Sequence, residues 1–116
     1  MNYTVSGKNI EITNGLREAV IDKLSKLERY FTPDTEVNVT LSVEKDRQRI
    51  EVTIPIKGTI IRAEQVSNDM YASIDLVEAV LERQLRKYKN KIVDQKQSAM
   101  ALSQVFLEEE TGEEDE

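Results

Sequence analysis

Hydrophobic and polar residues alternate along this chain with two periods, which divide it into predicted strands and helices. Apolar residues occupy every second position in residues 37–43 and 50–56, as in strands that bury one face. The polar residues 45–48 connect these two segments into a predicted hairpin. The sequence also predicts a first strand over about residues 2–6 and a fourth strand over about residues 59–66.

Apolar residues at three- and four-residue spacing predict two helices. The first follows Thr13 or Asn14 as its cap and continues towards Pro33, because the residue before a proline is excluded from helical geometry. The second follows Asp69 as its cap. The apolar stripes are Leu16, Val20, Leu24, Leu27 and Phe31 in the first helix, and Met70, Ile74, Val77, Leu81, Leu85, Tyr88 and Ile92 in the second.

The predicted order is β-α-β-β-β-α, an α+β fold with a four-stranded mixed sheet and both helices packed on one face. The first two strands are joined through a helix and should run parallel, whereas hairpins connect the others. Pro55 cannot donate a ladder hydrogen bond, which predicts a bulge, a strand end or an exposed edge there. Residues 1–97 form the predicted domain, and residues 98–116 form a flexible acidic tail or linker.

The composition limits the chemistry available to the chain. Its 116 residues suit one domain and include neither His nor Cys, which excludes Ser-His-Asp and Cys-His catalysis, disulfides and zinc–thiolate sites. Without a membrane-spanning apolar stretch or a secretory signal, a cytoplasmic location is expected. Carboxylate chemistry stays open through Asp69 and Asp75, although a cap and an exposed or ion-paired residue explain them more simply. We expect no catalytic site, cofactor or metal.

The net charge of −6 is unevenly distributed. Seven of the 22 acidic residues lie in residues 108–116, which leaves 16 basic and 15 acidic residues in residues 1–107, a net charge of +1. The acidic end is either a solubilising tail or linker, or an element that folds back on basic residues and competes with nucleic acid.

The strongest candidate for a binding surface is the solvent face of the second helix. On a helical wheel, Arg83, Arg86 and Lys87 lie opposite the apolar stripe, with Lys91 beside them and Lys89 nearer the core boundary. Cations at fixed spacing fit a phosphate backbone, because they release its counterions together. A solvated helix face near the C-terminal dipole is an equally good interpretation of this ridge.

Further cations lie in the first helix and in the hairpin. Lys23 lies inside the apolar arc of the first helix, with Lys26 three residues later, so Lys23 either emerges between the two helices or extends to water at the edge of the core. The hairpin carries Lys45, Arg47 and Arg49, but acidic residues intervene, and an ordinary surface loop is the favoured interpretation.

Four segments resemble the ribosome hibernation-promoting factor family, which includes the ribosome-associated inhibitor, or protein Y. They are Asp-Met-Tyr-Ala-Ser-Ile-Asp at 69–75, Leu-Glu-Arg-Gln-Leu-Arg-Lys-Tyr-Lys at 81–89, Gly-Lys-Asn-Ile-Glu-Ile-Thr at 7–13 and Lys-Leu-Ser-Lys-Leu-Glu at 23–28. The resemblance covers essentially residues 1–96. It implies a fold related to double-stranded-RNA-binding domains.

The resemblance also implies a function. Such a protein would bind the small ribosomal subunit in the channel for messenger and transfer RNA, near the decoding region, and inhibit translation sterically during stress or stationary phase. Its partner would be ribosomal RNA, recognised through backbone and shape. The family's RNA-facing basic positions match Lys23, Lys26, Lys45, Arg83, Arg86, Lys87 and Lys89 here, and Lys91 is added from the helix ridge.

Two departures from the family pattern have consequences. Val80 stands where the family usually has Lys, which would remove one phosphate contact and weaken binding modestly. The chain stops at Glu116, as either a short member or a long member cut at its acidic linker. Ribosome pairing is expected only if a C-terminal dimerisation domain is missing from this chain. The alternative function is a protein-interaction module whose basic second helix meets an acidic partner such as a transcription factor.

Overall fold

The order of elements in the computed structural model is the predicted β-α-β-β-β-α. The structure describes residues 1–56 and 58–95, with side chains up to residue 88, so the predicted tail at 98–116 lies outside the described residues. The elements are β1 (Asn2–Lys8), α1 (Asn14–Leu24), a 3₁₀ helix (Ser25–Tyr30), β2 (Glu36–Glu44), β3 (Arg47–Ile56), β4 (Thr59–Ser67) and α2 (Met70–Gln95).

The four strands form one mixed sheet in the order β1-β2-β3-β4. The β1–β2 pair is parallel, with Tyr3 opposite Val37, because α1 and the 3₁₀ helix return the chain to the same end of the sheet. The other two pairs are antiparallel, and Val52 lies opposite both Val39 and Ala63. The mixed sheet predicted from the sequence is therefore confirmed.

One face of the sheet carries the core, and both helices cover it. Alternate residues of β2, β3 and β4 are buried there, while their neighbours on the other face are polar or exposed. The core comprises Val37, Val39, Leu41, Ile50, Val52, Ile54, Ile61 and Ala63 of the sheet, Val20, Leu24 and Leu27 of the first helical segment, and Met70, Ile74, Val77, Leu81 and Leu85 of α2. Each large side chain contributes about 1.5–3 kcal/mol on burial, so this layer holds the helices in place.

The first helix differs from the prediction of one α-helix reaching Pro33. Thr13 caps it as expected, its Oγ1 accepting a hydrogen bond from the Leu16 N–H at 3.1 Å. The α-helix ends at Leu24, and the chain continues as the 3₁₀ helix. The Ser25 hydroxyl donates to the Asp22 carbonyl at 2.8 Å, a local bond of the kind that competes with regular helix geometry.

The second helix begins where the sequence predicts. The Asp69 carboxylate accepts the Tyr71 N–H at 3.2 Å and caps α2. Ser73 is fully buried, and its hydroxyl donates to the Gln48 carbonyl at 2.6 Å. This bond fixes the start of α2 beside the start of β3. No helix in the described part of the chain is long and apolar enough to cross a membrane.

The β2–β3 turn is shorter than the predicted link, since only Lys45 and Asp46 separate the strands. Lys45 has a φ of 58°, in the left-handed region that two-residue hairpin turns commonly use. Pro55 lies at a strand end, as one of the expected alternatives: it pairs with Ile60, whereas the β2–β3 ladder stops at Thr53. Its missing N–H therefore removes no bond from that ladder.

Candidate nucleic-acid interface

Six cations lie on the outer side of the two-helix layer, along the groove between the helices and on the outer face of α2. We call this set the helix-side basic surface; it consists of Lys23, Lys26, Arg29, Arg83, Arg86 and Lys87. Arg83 and Arg86 are exposed, as their wheel positions predict. Lys87 is half-buried instead of fully on the solvent face, because it lies two turns beyond Val80 on the same side of α2, and Val80 is itself packed against the core.

Lys23 links the two helices. Its side chain is 29% exposed, and its Nζ lies 2.8 Å from Asp75 Oδ1 on α2. The hydrogen bond to Asp75, together with the negative charge of that residue, raises the pKa of Lys23. Of the two positions that the sequence allows for Lys23, the structure shows the one between the two helices. Its ammonium group stays charged in the interhelical groove.

Glu82 gathers a second group of cations in the same groove. Its side chain is 17% exposed, and one oxygen, Oε2, accepts two hydrogen bonds from the 3₁₀ helix and forms an ion pair within α2. The Arg29 Nη2 lies 2.6 Å from this oxygen, the Tyr30 hydroxyl 3.0 Å and the Arg86 Nε 3.8 Å. Arg29 also lies over the Tyr30 ring, 4.9 Å from its centroid. These contacts bring two guanidinium groups from different helices to one place.

Arg29 is a candidate site residue that the sequence analysis missed. Its partner Glu82 is 53 residues away, so the pairing cannot be deduced from local pattern. A signal was nevertheless present in the sequence. Lys23, Lys26 and Arg29 follow one another at three-residue spacing, and side chains three apart eclipse in a 3₁₀ helix, so Lys26 and Arg29 share one side.

Lys45 lies apart from Arg83 and from the cations around Glu82. It lies at the tip of the β2–β3 hairpin, at the end of the sheet where Ser73 fixes the start of α2 to Gln48. Arg83 lies ten residues further along α2, roughly 15 Å at 1.5 Å per residue. Glu82 contacts Tyr30, which precedes the other end of β2. Arg83 and the cations around Glu82 therefore lie towards the other end of α2, whereas Lys23, through Asp75, lies nearer to the hairpin end.

The structure describes two predicted site residues, Lys89 and Lys91, by their backbone alone. The backbone of Lys89 and Lys91 belongs to α2, but their side chains lie outside the described residues.

The two carboxylates considered for acid chemistry have other partners. Asp69 caps α2 through its own carboxylate, and Asp75 pairs with Lys23. The described residues contain no group of three or more acidic side chains arranged to hold a metal ion. A paired-carboxylate site thus has no geometric support in this part of the chain.

The fold and this charge pattern define an α+β domain with a cationic surface on its helical side. A sequence profile described as Sigma 54 modulation protein / S30EA ribosomal protein matches residues 3–93. That match covers most of the chain, which belongs to this family.

Named relatives agree with the family assignment. A Lactococcus lactis subsp. cremoris protein named ribosome hibernation promotion factor is 42% identical over 113 residues, which cover 94% of this chain and 60% of the relative. An Azotobacter vinelandii protein named ribosome hibernation promoting factor is 41% identical over 97 residues, covering 84% of this chain and 91% of the relative. The chain therefore spans only three-fifths of the length of one relative and nearly all of the other.

A solved structure supports the fold independently. The crystal structure of the Thermus thermophilus protein Y N-terminal domain matches with a TM-score of 0.70 at 34% sequence identity. The match covers 76% of this chain and 99% of that domain. The α+β fold predicted from the sequence is thereby confirmed on a solved relative as well as in this chain.

Proposed function

We propose that this chain is a ribosome hibernation factor whose helix-side basic surface binds ribosomal RNA of the small subunit. The observation that carries this proposal is the convergence of cations from α1, the 3₁₀ helix and α2 along one groove, held by Asp75 and Glu82. The names of its relatives support the same function. The chain would act in the cytoplasm, where ribosomes are found.

Electrostatics explains why such a surface suits a phosphate backbone. Each cation that neutralises a phosphate releases condensed counterions, and arginine binds phosphate oxygens with two parallel N–H donors. Two carboxylates of α2 hold cations in the groove before RNA arrives. Asp75 pairs with Lys23, and Glu82, two turns further on, pairs with both Arg29 and Arg86. Each of these pairs has one partner that is 63% exposed to water, which weakens the pair, so a cation can exchange a carboxylate partner for phosphate at modest cost.

The mechanism we propose is steric and needs no chemistry. The domain would occupy the channel for messenger and transfer RNA near the decoding region, and translation would stop under stress or in stationary phase because that channel is filled. Small subunits that already hold messenger and transfer RNA should therefore bind the chain much more weakly than vacant subunits. Equal binding to vacant and occupied subunits would contradict the location in the channel.

Charge reversal tests the surface itself. Arg83→Glu should weaken co-sedimentation with vacant small subunits by at least roughly tenfold, since it removes one attraction and adds one repulsion. Arg17→Glu is the matched control, because Arg17 is also an exposed helical arginine but lies in the first turn of α1, outside this surface. Equal losses in both variants would indicate a general charge effect and contradict a site on the helix side.

The alternative, a protein-interaction module that uses α2 against an acidic protein partner, is not favoured. It would rest on exposed apolar side chains of α2, of which Leu76 is 45% exposed. It predicts a shallow salt dependence and a loss of binding in Leu76→Ser, with Arg83→Glu having the smaller effect. RNA binding predicts the reverse order of the two variants.

A further inference from the structure

The face of the sheet away from the helices carries a hollow of about 330 Å³. It lies where β1 ends, β2 ends and β3 begins, near the hairpin tip. Its lining includes Lys8, Asn9, Ser42, Glu44, Arg47 and Arg49. None of these residues belongs to the helix-side basic surface, so the hollow is a separate feature on the opposite side of the molecule.

Strand register brings three of these side chains into one row. Lys8 of β1 pairs with Ser42 of β2, and Ser42 pairs with Arg49 of β3. Neighbouring strands lie about 4.8 Å apart, so Lys8 and Arg49 flank the Ser42 hydroxyl from both sides. Their long side chains can therefore reach one anion above Ser42. Arg47 lies two residues from Arg49 on the same face of the sheet, opposite Glu44, and adds a third cation.

The charge of the hollow favours an anion. Three cations line it against one carboxylate, that of Glu44. Neither Lys8 nor Arg47 forms an ion pair with any residue that the structure describes. Arg49 contacts Glu64 at 3.2 Å, but both side chains are 44% exposed, and an exposed pair of this kind opposes binding of an anion only weakly.

The backbone at the end of β1 is closely packed and fixes the rim of the hollow. A Cβ atom on Gly7 would lie 2.5 Å from the Ile10 carbonyl oxygen, so the chain can turn this tightly only with glycine at that position. Asn9 follows with a φ of 59°, in the left-handed region. The backbone of Lys8 and Asn9 is thus already held in a defined turn, so binding a ligand there would cost little backbone conformational entropy.

We propose that this hollow is a second phosphate-binding site and that its ligand is a phosphodiester group of RNA. That the hollow binds phosphate is inferred from the hollow alone. That this phosphate belongs to RNA rests on the proposed function. The domain then contacts RNA on two opposite sides, through the helix-side basic surface and through the hollow. Free inorganic phosphate would bind through the same contacts, and binding measurements with RNA and with phosphate distinguish these two ligands.

Neutralising the two unpaired cations is the first test. Lys8→Gln and Arg47→Gln together should weaken small-subunit binding roughly tenfold or more and reduce the slope of log K against log salt by about 0.7–0.9 for each lost phosphate contact. Arg62→Gln is the control, because Arg62 is exposed on the same face, opposite Thr53 and away from the hollow. Wild-type affinity and slope in the double variant would overturn the RNA assignment, while the proposed function would stand.

Removing the carboxylate gives a test of opposite sign. Glu44→Gln should strengthen small-subunit binding severalfold, because it removes the only negative charge in the lining of the hollow. Glu36→Gln is its control, since Glu36 is an exposed residue at the other end of the same strand. Weaker binding in Glu44→Gln, or an equal gain in both variants, would argue against a specific anion site. These gains cannot arise from misfolding.

A third experiment does not depend on the ribosome. Amide chemical shifts of the full chain are followed during titration with inorganic phosphate and, separately, with a short single-stranded RNA. Saturable shifts at Lys8, Ser42 and Arg49 that appear at lower concentration for RNA, and vanish in the double variant, support the site even if the chain binds no ribosome. Shifts with phosphate but none with RNA would overturn the RNA ligand, and no shifts with either would overturn the site.

Discussion

At the scale of single residues, the arrangement around Glu82 shows how an acidic side chain can serve a cationic surface. Arg29, Tyr30 and Arg86 share one oxygen of this mostly buried carboxylate. The carboxylate reduces the net positive charge of the groove, but it fixes the directions of two guanidinium groups. A neutral side chain would satisfy the same donors less well, because hydrogen bonds to a charged acceptor are stronger.

We therefore predict that Glu82→Gln lowers the free energy of unfolding by about 1 kcal/mol. Urea denaturation of the variant against the wild type measures this difference. Glu18→Gln is a suitable reference, because Glu18 is exposed on α1 and has no partner among the described residues. Identical midpoints for all three proteins would show that the shared oxygen contributes nothing to stability.

Tyr3 provides a pH-dependent test of the contact between β1 and the 3₁₀ helix. Burial, together with the negative charge of Glu28, whose carboxylate accepts the phenol hydrogen bond at 3.4 Å, raises the pKa of Tyr3 from 10.0 to about 12. The folded state therefore favours the protonated phenol. Its contribution to stability is complete below pH 10 and is lost as the pH rises from 10 to about 12.

Tyr3→Phe should lose this part of the pH dependence. Between pH 10 and 12 the free energy of unfolding of the wild type should fall more steeply than that of the variant, because only the wild type has to ionise this partly buried phenol. Chemical denaturation at several pH values supplies both curves. Parallel curves for the two proteins would mean that Tyr3 titrates normally in the folded state.

At the scale of elements, sequence pattern predicted the order, the sheet and the buried faces, because these depend on local periodicity. Val37, Val39 and Leu41, for example, share one face of any strand that contains them, because successive side chains of a strand point to opposite faces. The 3₁₀ helix was not predicted, since apolar residues at three- and four-residue spacing fit either type of helix; the Ser25 hydroxyl bonds to the Asp22 carbonyl where the α-helix ends. Arg29 was missed for a different reason: its contact with Glu82, on an element distant in sequence, is not visible in the local pattern.

In the β2–β3 hairpin, one substitution at Lys45 tests backbone strain and RNA binding separately. Lys45 holds a φ of 58°, which costs a non-glycine residue roughly 1 kcal/mol. Lys45→Gly should leave the free energy of unfolding unchanged or raise it by up to about 1 kcal/mol, since relief of strain outweighs the added freedom of the unfolded chain. Thermal unfolding measures this effect.

The same variant should nevertheless bind small subunits less tightly if Lys45 contacts RNA. Lys45→Arg is the matched control for this experiment, because it keeps both the charge and the strained backbone. A loss of stability in Lys45→Gly would contradict the strain at the turn, and unchanged affinity would remove Lys45 from the set of RNA-binding residues.

At the scale of the whole molecule, the separation of charge matters more than its sum. The chain carries a net charge of −6, yet residues 1–107 carry +1, and two groups of cations stand out in the described part of the domain. The helix-side basic surface lies along the interhelical groove, and the hollow lies on the opposite face at the hairpin end. A domain with cations on both sides is suited to a narrow channel walled by RNA, which is the location we propose for it.

Co-sedimentation of this chain with separated vacant ribosomal subunits, across a salt titration, tests that account most directly. We predict stoichiometric binding to the small subunit and a slope of log K against log salt of roughly −4 to −5.5, as about six phosphate contacts at 0.7–0.9 each would give. Failure to bind the small subunit at low salt, or binding that salt hardly weakens, would contradict RNA docking through the helix-side basic surface.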